Sequence, residues 1–95
     1  MPVLVLVELR LKPTKRQEIM ASVPAFEAAT RQEAGCLAFD VMYSSTDVDL
    51  MCSVGRWKDR MSAQAHQEAD HTVAMIDVAL EHGTDAPRFT VVDVG

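Results

Sequence analysis

The feature that most constrains the fold is a strand-like alternation near the start of the chain. Between residues 3 and 12, valine and leucine at the odd positions alternate with Leu4, Leu6, Glu8 and Arg10. A period of two residues predicts a β-strand, and its first half is apolar on both faces, as in a central strand covered on both sides. Any fold for this chain must therefore hide two sheet faces from water.

A helix is predicted after this strand. Thr14, followed three residues later by Gln17, forms a capping-box signature that supplies acceptors to the first N–H groups of a helix. The helix should run to about Glu33, with Gly35 as its C-terminal stop. We expect a kink or a break near Pro24, because proline removes one helical hydrogen bond and clashes with the preceding turn.

Two alternating segments in the middle of the chain predict a hairpin. Residues 36–44 and 49–57 flank a polar turn at 45–47, and strands joined by so short a turn are antiparallel. Cys36 and Cys52 would then lie on neighbouring strands about five positions out of register, too far apart for a disulfide. Two buried, unpaired thiols are expected, with a reactive cysteine as the alternative.

A second helix follows the hairpin. Asp59 is a suitable N-cap, and the helix is expected to reach about His82 and to stop at Gly83. A sustained apolar stripe that begins at Met61 runs along it. Its weakest part, and a candidate break, lies at residues 70–72.

With a final β-branched strand at 89–94, the element order is βαββαβ. This order predicts an α+β, ferredoxin-like domain over residues 1–95, with one four-stranded antiparallel sheet and both helices on one face. Two helices cannot cover both faces, and Leu4 and Leu6 make the second face apolar. We expect two copies to pack face to face into a homodimeric α/β barrel, because burial stabilises by about 25 cal/mol per Å² of apolar area.

Composition excludes several classes of function. The net charge is −5, with 14 acidic and 9 basic residues, and no basic cluster suits nucleic acid. No apolar run is long enough to span a membrane, and the first eleven residues hold Glu8, Arg10 and no small-residue cleavage site. A soluble, cytoplasmic protein is expected. The sequence lacks a G-x-S-x-G motif, a phosphate-binding loop and a metal-ligand cluster, so neither a cofactor nor a metal is predicted.

Several short motifs occur along the chain in the same order as in a known protein family. They are Leu11-Lys12-Pro13, Glu33-Ala34-Gly35-Cys36-Leu37 with Phe39, Arg56-Trp57-Lys58-Asp59, Ala65-His66 and Asp70-His71. Together they resemble the antibiotic biosynthesis monooxygenase family. The resemblance implies a dimeric α/β barrel with a pocket between the sheet and the helices of each subunit. Family members include cofactor-independent oxygenases of quinols and aromatic polyketides, haem-degrading enzymes and isomerases.

Departures from the family's patterns narrow the choice of chemistry. The haem-degrading branch uses an asparagine on the first strand, then a tryptophan and a histidine on the second helix. This chain has no asparagine, and His66 and Ile76 occupy those two helix positions. The polyketide oxygenase branch uses an asparagine and a tyrosine around the strand-end tryptophan, where this chain has Ser53 and Ala63. Haem degradation is therefore disfavoured. Of the three residues in the polyketide oxygenase pattern, this chain retains only Trp57.

His66 is the candidate catalytic residue. It borders the helix stripe that faces the sheet, where an imidazole could take a proton from a phenol or an enol. The alternative is a structural histidine bonded to Asp70, one helical turn further on. His71 lies about 140° from His66 on a continuous helix, so the pair should not converge on a metal unless the helix breaks.

Five side chains are candidates for substrate binding. They are Phe26, Tyr43, Trp57, Met61 and His71. The alternative is core or dimer packing for Trp57, a cross-strand pair or a solvated face for Tyr43, and core filling for Met61. The leading hypothesis is a cofactor-independent monooxygenase acting on a quinol or an aromatic polyphenol. A non-oxidative isomerase or binding protein for a small metabolite is the second hypothesis. A catalytically inactive structural dimer is the third.

Overall fold

The structure is a computed structural model that describes residues 1–82 and 86–94, with the backbone alone for 79–82. Its elements are β1 (Val3–Arg10), α1 (Arg16–Arg31), β2 (Cys36–Tyr43), β3 (Leu50–Trp57), α2 (Arg60–Glu68), α3 (Asp70–His82) and β4 (Arg88–Asp93). The predicted α+β, ferredoxin-like class is confirmed, with the second predicted helix divided in two. The predicted helix stop at Gly83 lies outside the described residues.

The four strands form one antiparallel sheet in the order β2-β3-β1-β4. The apolar first strand is therefore central, as its pattern predicts, and its Val5 lies opposite Gly55 on β3 and Val91 on β4. The odd residues of β1 face the helices, and their burial builds the core in two clusters. One contains Leu9, Leu11, Ile19, Val23 and Met51, and the other contains Val3, Val5, Phe39, Trp57 and Ala63.

The first helix departs from its prediction at its start and in its middle. Thr14 lies in a short 3₁₀ turn, Pro13–Lys15, and no side chain caps α1, so the predicted capping box is wrong. The helix also continues unbroken through Pro24 to Arg31. Pro24 lies on the exposed side of the helix. The carbonyl that it leaves without a helical partner can therefore bond to water, which makes the residue tolerable there.

The second helical segment breaks at Ala69, next to the weak stretch at residues 70–72. Ala69 has extended backbone angles, φ −66° and ψ 144°, and its N–H donates to the carbonyl of His66. The N-cap prediction is confirmed, because Asp59 Oδ1 accepts from the backbone N–H of Ser62 at 2.8 Å. The break changes the direction of α3 relative to α2, and so changes which of their side chains meet.

The face of the sheet away from the buried core is apolar at its centre. We call this face the rear face. It carries Leu4, Leu6, Met42, Val54 and Val92. Met42 is 51% exposed and Val92 is 45% exposed, on the two edge strands. An apolar surface of this kind is typical of an interface. Within the described residues, no helix combines the length and apolar character that a membrane span requires.

Both cysteines are free thiols, as expected. Cys36 lies opposite Trp57 and Cys52 lies opposite Met42, which puts the two cysteines five positions out of register. Each cysteine is half-buried rather than fully buried. Burial raises the pKa of each thiol above the ordinary value for cysteine. The thiolate is the reactive form, so these cysteines are poor nucleophiles near neutral pH.

Candidate functional site

A small cavity of about 60 Å³ lies between the sheet and the helices. Its wall is mostly apolar and is formed by side chains such as Val7, Leu9, Val23, Phe26 and Met75. The polar side chains that reach it are Ser53, His66, Gln67 and Thr72. The cavity occupies the place that the family resemblance implies for a pocket, and His66 brings a titratable group to it.

His66 is held in an aromatic setting. Its ring stacks on Trp57 with centroids 4.8 Å apart and planes inclined by 28°, and Phe39 and Phe26 lie 5.5 and 6.0 Å away. The residue is only 5% exposed. Burial lowers the pKa of His66, and the neighbouring Glu33 carboxylate opposes that change. The buried ring packing fixes the direction in which the imidazole points.

Glu33 is the hydrogen-bond partner of His66. Its Oε2 lies 2.6 Å from Nδ1 of His66, and Thr72 Oγ1 lies 3.1 Å from the same nitrogen. Because a carboxylate accepts, Nδ1 carries the proton and Nε2 keeps the lone pair. The prediction that Asp70 would bond to His66 is wrong. Glu33 comes from the loop between α1 and β2, which local helix spacing cannot reveal.

Gly35 fixes the loop that carries Glu33. Its φ of +82° is left-handed, and a Cβ at this position would collide with the Ser62 side chain at the start of α2. Its carbonyl accepts from the N–H of Lys58 at 2.9 Å. The loop is thus anchored against the first turn of α2. Glu33 belongs to the motif that carried the family resemblance, and that motif was the available signal for its role.

His71 also bonds to Glu33. Its Nε2 lies 2.8 Å from the same Oε2, and its ring meets the edge of Phe26 at 5.7 Å. The expected divergence of His66 and His71 applied to one continuous helix. The chain breaks at Ala69, and the centroids of the two rings come within 6.0 Å of each other. His71 lies beside the cavity, in a shallow groove with Phe26 and Met75, and does not line the cavity itself.

The other predicted binding residues lie in different parts of the molecule. Phe26 lines the cavity, whereas Trp57 is fully buried beneath His66 and does not reach it. Tyr43 lies in a separate groove at the far end of β2. Met61 is 82% exposed, so its predicted place in the sheet-facing stripe is wrong. The stripe had been extended across the helix break, and α2 buries Ala63 and His66 instead.

Comparisons with known proteins agree with this architecture. The model of the antibiotic biosynthesis monooxygenase family matches residues 2–78. A solved structure from Mycobacterium tuberculosis is 24% identical, with a TM-score of 0.91 over 99% of this chain and 95% of its own. Candidate antibiotic biosynthesis monooxygenases from Nitrosomonas europaea and Deinococcus radiodurans are 18% and 20% identical. Their TM-scores are 0.92 and 0.90, over 98% of this chain and 89% and 92% of theirs. No curated protein matches the chain.

Proposed function

The chain belongs to the antibiotic biosynthesis monooxygenase family, and on that premise we propose that it is a cofactor-independent monooxygenase of a quinol or an aromatic polyphenol. The observation that carries the proposal is the hydrogen bond between Glu33 and His66 at the wall of the helix-sheet cavity. This pair supplies an oriented base, and the apolar wall suits an aromatic ring.

The first step is removal of a phenolic proton. With Nδ1 of His66 donating to Glu33, the lone pair on Nε2 accepts the proton, and the carboxylate stabilises the imidazolium that forms. Among the described residues, Nε2 has no hydrogen-bond partner to displace. The deprotonated substrate is electron-rich and is the species that reacts with oxygen.

The second step is oxygenation of the anion. The quinolate gives one electron to O₂, and the resulting radical pair joins through a new carbon–oxygen bond. The peroxide anion takes back the proton held by His66, and the resulting hydroperoxide loses water, which leaves one oxygen atom in a hydroxyquinone and the other in H₂O. The substrate supplies all the electrons, so quinol and O₂ balance hydroxyquinone and water without an external reductant.

The cavity is small for such a substrate. Its volume of about 60 Å³ compares with roughly 150 Å³ for an engineered cavity that binds benzene. A quinol can enter only if side chains such as Phe26, Met75 and Phe89, which line the space, move apart. The small volume is also the observation that favours a second candidate, a non-oxidative protein that isomerises or binds a smaller metabolite. That candidate predicts thermal stabilisation by the ligand without oxygen consumption.

We also propose that the functional unit is a homodimer joined through the rear face. Leu6 and Val54 lie opposite each other at the centre of that face, and the exposed Met42 lies at its edge. A second copy would remove these side chains from water. The helices and the cavity lie on the opposite face, so dimerisation would leave the site accessible.

Oxygen uptake with a panel of quinols tests the proposed activity. We expect uptake by the wild type, and one ¹⁸O atom from ¹⁸O₂ in the product with the second in water. His66→Ala should lower the rate by roughly 10²-fold or more, the usual contribution of a general base. Gln64→Ala, an exposed change on the same helix, serves as the matched control. Equal uptake by wild type and His66→Ala would remove His66 from the mechanism.

A further inference from the structure

Three side chains from separate parts of the chain converge beside the cavity. Glu33, His66 and His71 each offer one ligand atom, and these atoms all lie within 4.8 Å of one another. The side chains are 16%, 6% and 29% exposed, so the group is enclosed by protein. We propose that this Glu33–His66–His71 cluster binds a first-row transition-metal dication of the Zn²⁺ class, with water completing the coordination.

The donor set fits this class of metal. Two imidazole nitrogens and one carboxylate oxygen are common ligands of zinc sites that keep a fourth position open, and of other first-row metals. Hard cations such as Mg²⁺ and Ca²⁺ favour sites built from oxygen alone, so they suit the cluster poorly. The combination of ligands therefore points to Zn²⁺, Co²⁺ or a similar ion.

The distances describe the metal-free form of the cluster. Glu33 Oε2 lies 2.6 Å from His66 Nδ1 and 2.8 Å from His71 Nε2, distances of hydrogen bonds in which the ring N–H groups donate. Around a tetrahedral ion with bonds of about 2.1 Å, ligand atoms stand about 3.4 Å apart. The carboxylate must therefore withdraw by several tenths of an ångström from each nitrogen. Glu33 is in a loop, and its side chain can withdraw by rotation. The two ring nitrogens, which lie within 4.8 Å of each other, must also approach to about 3.4 Å, and rotation of the more exposed His71 ring can provide that movement.

Metal binding changes the protonation of both rings. Each neutral imidazole gives the lone pair of its ligating nitrogen to the ion and keeps its single proton on the other ring nitrogen. For His66 the proton moves from Nδ1 to Nε2. The metal-bound ring can no longer accept a proton at Nε2, so the metal-bound form excludes the base step proposed above.

The surroundings of the Glu33–His66–His71 cluster predict a moderate affinity for the metal ion. The ring of His66 is already fixed between Trp57 and Phe39, which lowers the cost of ordering that ligand. Among the described residues, however, neither His66 Nε2 nor His71 Nδ1 has a hydrogen-bond partner. Missing outer-shell partners typically cost 10–100-fold in metal affinity. We therefore expect dissociation constants in the micromolar range rather than the nanomolar range.

Metal titration of the purified, chelator-treated full chain tests the proposal. Zn²⁺ binding is measured by calorimetry, and Co²⁺ binding by its visible absorption, which reports the coordination number. We expect one ion per chain and a spectrum of four- or five-coordinate Co²⁺. His71→Ala and Glu33→Gln should each weaken binding at least tenfold. Asp70→Asn, which changes an exposed carboxylate next to His71, should bind like the wild type.

Three results would overturn the proposal. They are the absence of Zn²⁺ binding at millimolar concentration, six-coordinate Co²⁺ only, or equal affinity in wild type and His71→Ala. Circular dichroism of each metal-free variant establishes that it is folded. The titrations need neither quinol nor oxygen. A failure to bind metal therefore leaves the oxygenase proposal standing, and an absence of oxygenase activity leaves the metal site standing.

Discussion

At the scale of single residues, one carboxylate oxygen organises the site. Glu33 Oε2 bonds to both His66 and His71, and it thereby sets the tautomer of the proposed base. The sequence put His66 forward as the candidate base, because its position beside the helix stripe and the family motif both pointed to it, and that role stays a prediction. Its partner could not be found in the same way, since Glu33 and His66 are 33 positions apart and meet only through the fold.

Glu33→Gln tests the dependence of His66 on its partner. The amide keeps an acceptor oxygen but loses the negative charge that stabilises the imidazolium. Hydrogen bonds to charged groups contribute about 1.5–3 kcal/mol, so we expect kcat for quinol oxidation to fall roughly 10- to 100-fold, with little change in KM. Glu68→Gln, an exposed glutamate on α2, is the control. Full kcat in Glu33→Gln together with an inactive His66→Ala would show that His66 acts without Glu33.

At the scale of elements, local signals were reliable where the interaction is local. The hairpin and the Asp59 N-cap were predicted correctly because they depend on neighbouring residues. The capping box at Thr14 failed because a 3₁₀ turn at Pro13–Lys15 precedes α1. The break at Ala69 redirected the second half of the helix, so a single stripe drawn across it misplaced Met61, and His71 meets the same carboxylate as His66. Periodicity finds a helix, but one extended residue is enough to change which side chains face the core.

The N-cap of α2 makes stability depend on pH. The N–H of Ser62 holds the pKa of Asp59 below its ordinary value. A carboxyl whose pKa is lower in the folded state stabilises the fold above the unfolded pKa of about 3.9. That stabilisation is lost as the pH falls through the folded value. At pH 7 we expect the wild type to melt highest, Asp59→Asn slightly lower because it keeps a capping oxygen, and Asp59→Ala lowest.

Thermal melts followed by circular dichroism from pH 7 to about pH 2.5 check this expectation. The difference in Tm between wild type and Asp59→Asn should close at the acid end, because the carboxyl is then protonated and both caps are neutral. A difference that stays constant over the whole range would mean that the charge of Asp59 does not contribute.

At the scale of the whole molecule, the two faces of the sheet differ in what covers them. One face packs on the helices and carries the cavity with Glu33, His66 and His71 beside it. The centre of the rear face is apolar, and no described helix lies over it. The alternation in β1 predicted this division, because a strand with apolar residues on both sides requires a packing layer on each face of the sheet. The volume of the cavity could not be predicted, since it depends on how side chains from distant elements pack.

A dimer joined through the rear face should dissociate when charged residues are introduced on that face, and should persist when they are introduced elsewhere. We expect sedimentation velocity at micromolar concentration to show a wild-type dimer and a folded monomer for Met42→Glu/Val92→Glu, because buried, unpaired carboxylates oppose association. Met61→Glu/Val73→Glu is the matched control, since it adds the same charges to helix residues that are 82% and 47% exposed. That variant should remain dimeric. A folded wild-type monomer at this concentration would contradict the dimer, and the rear face would then need another partner.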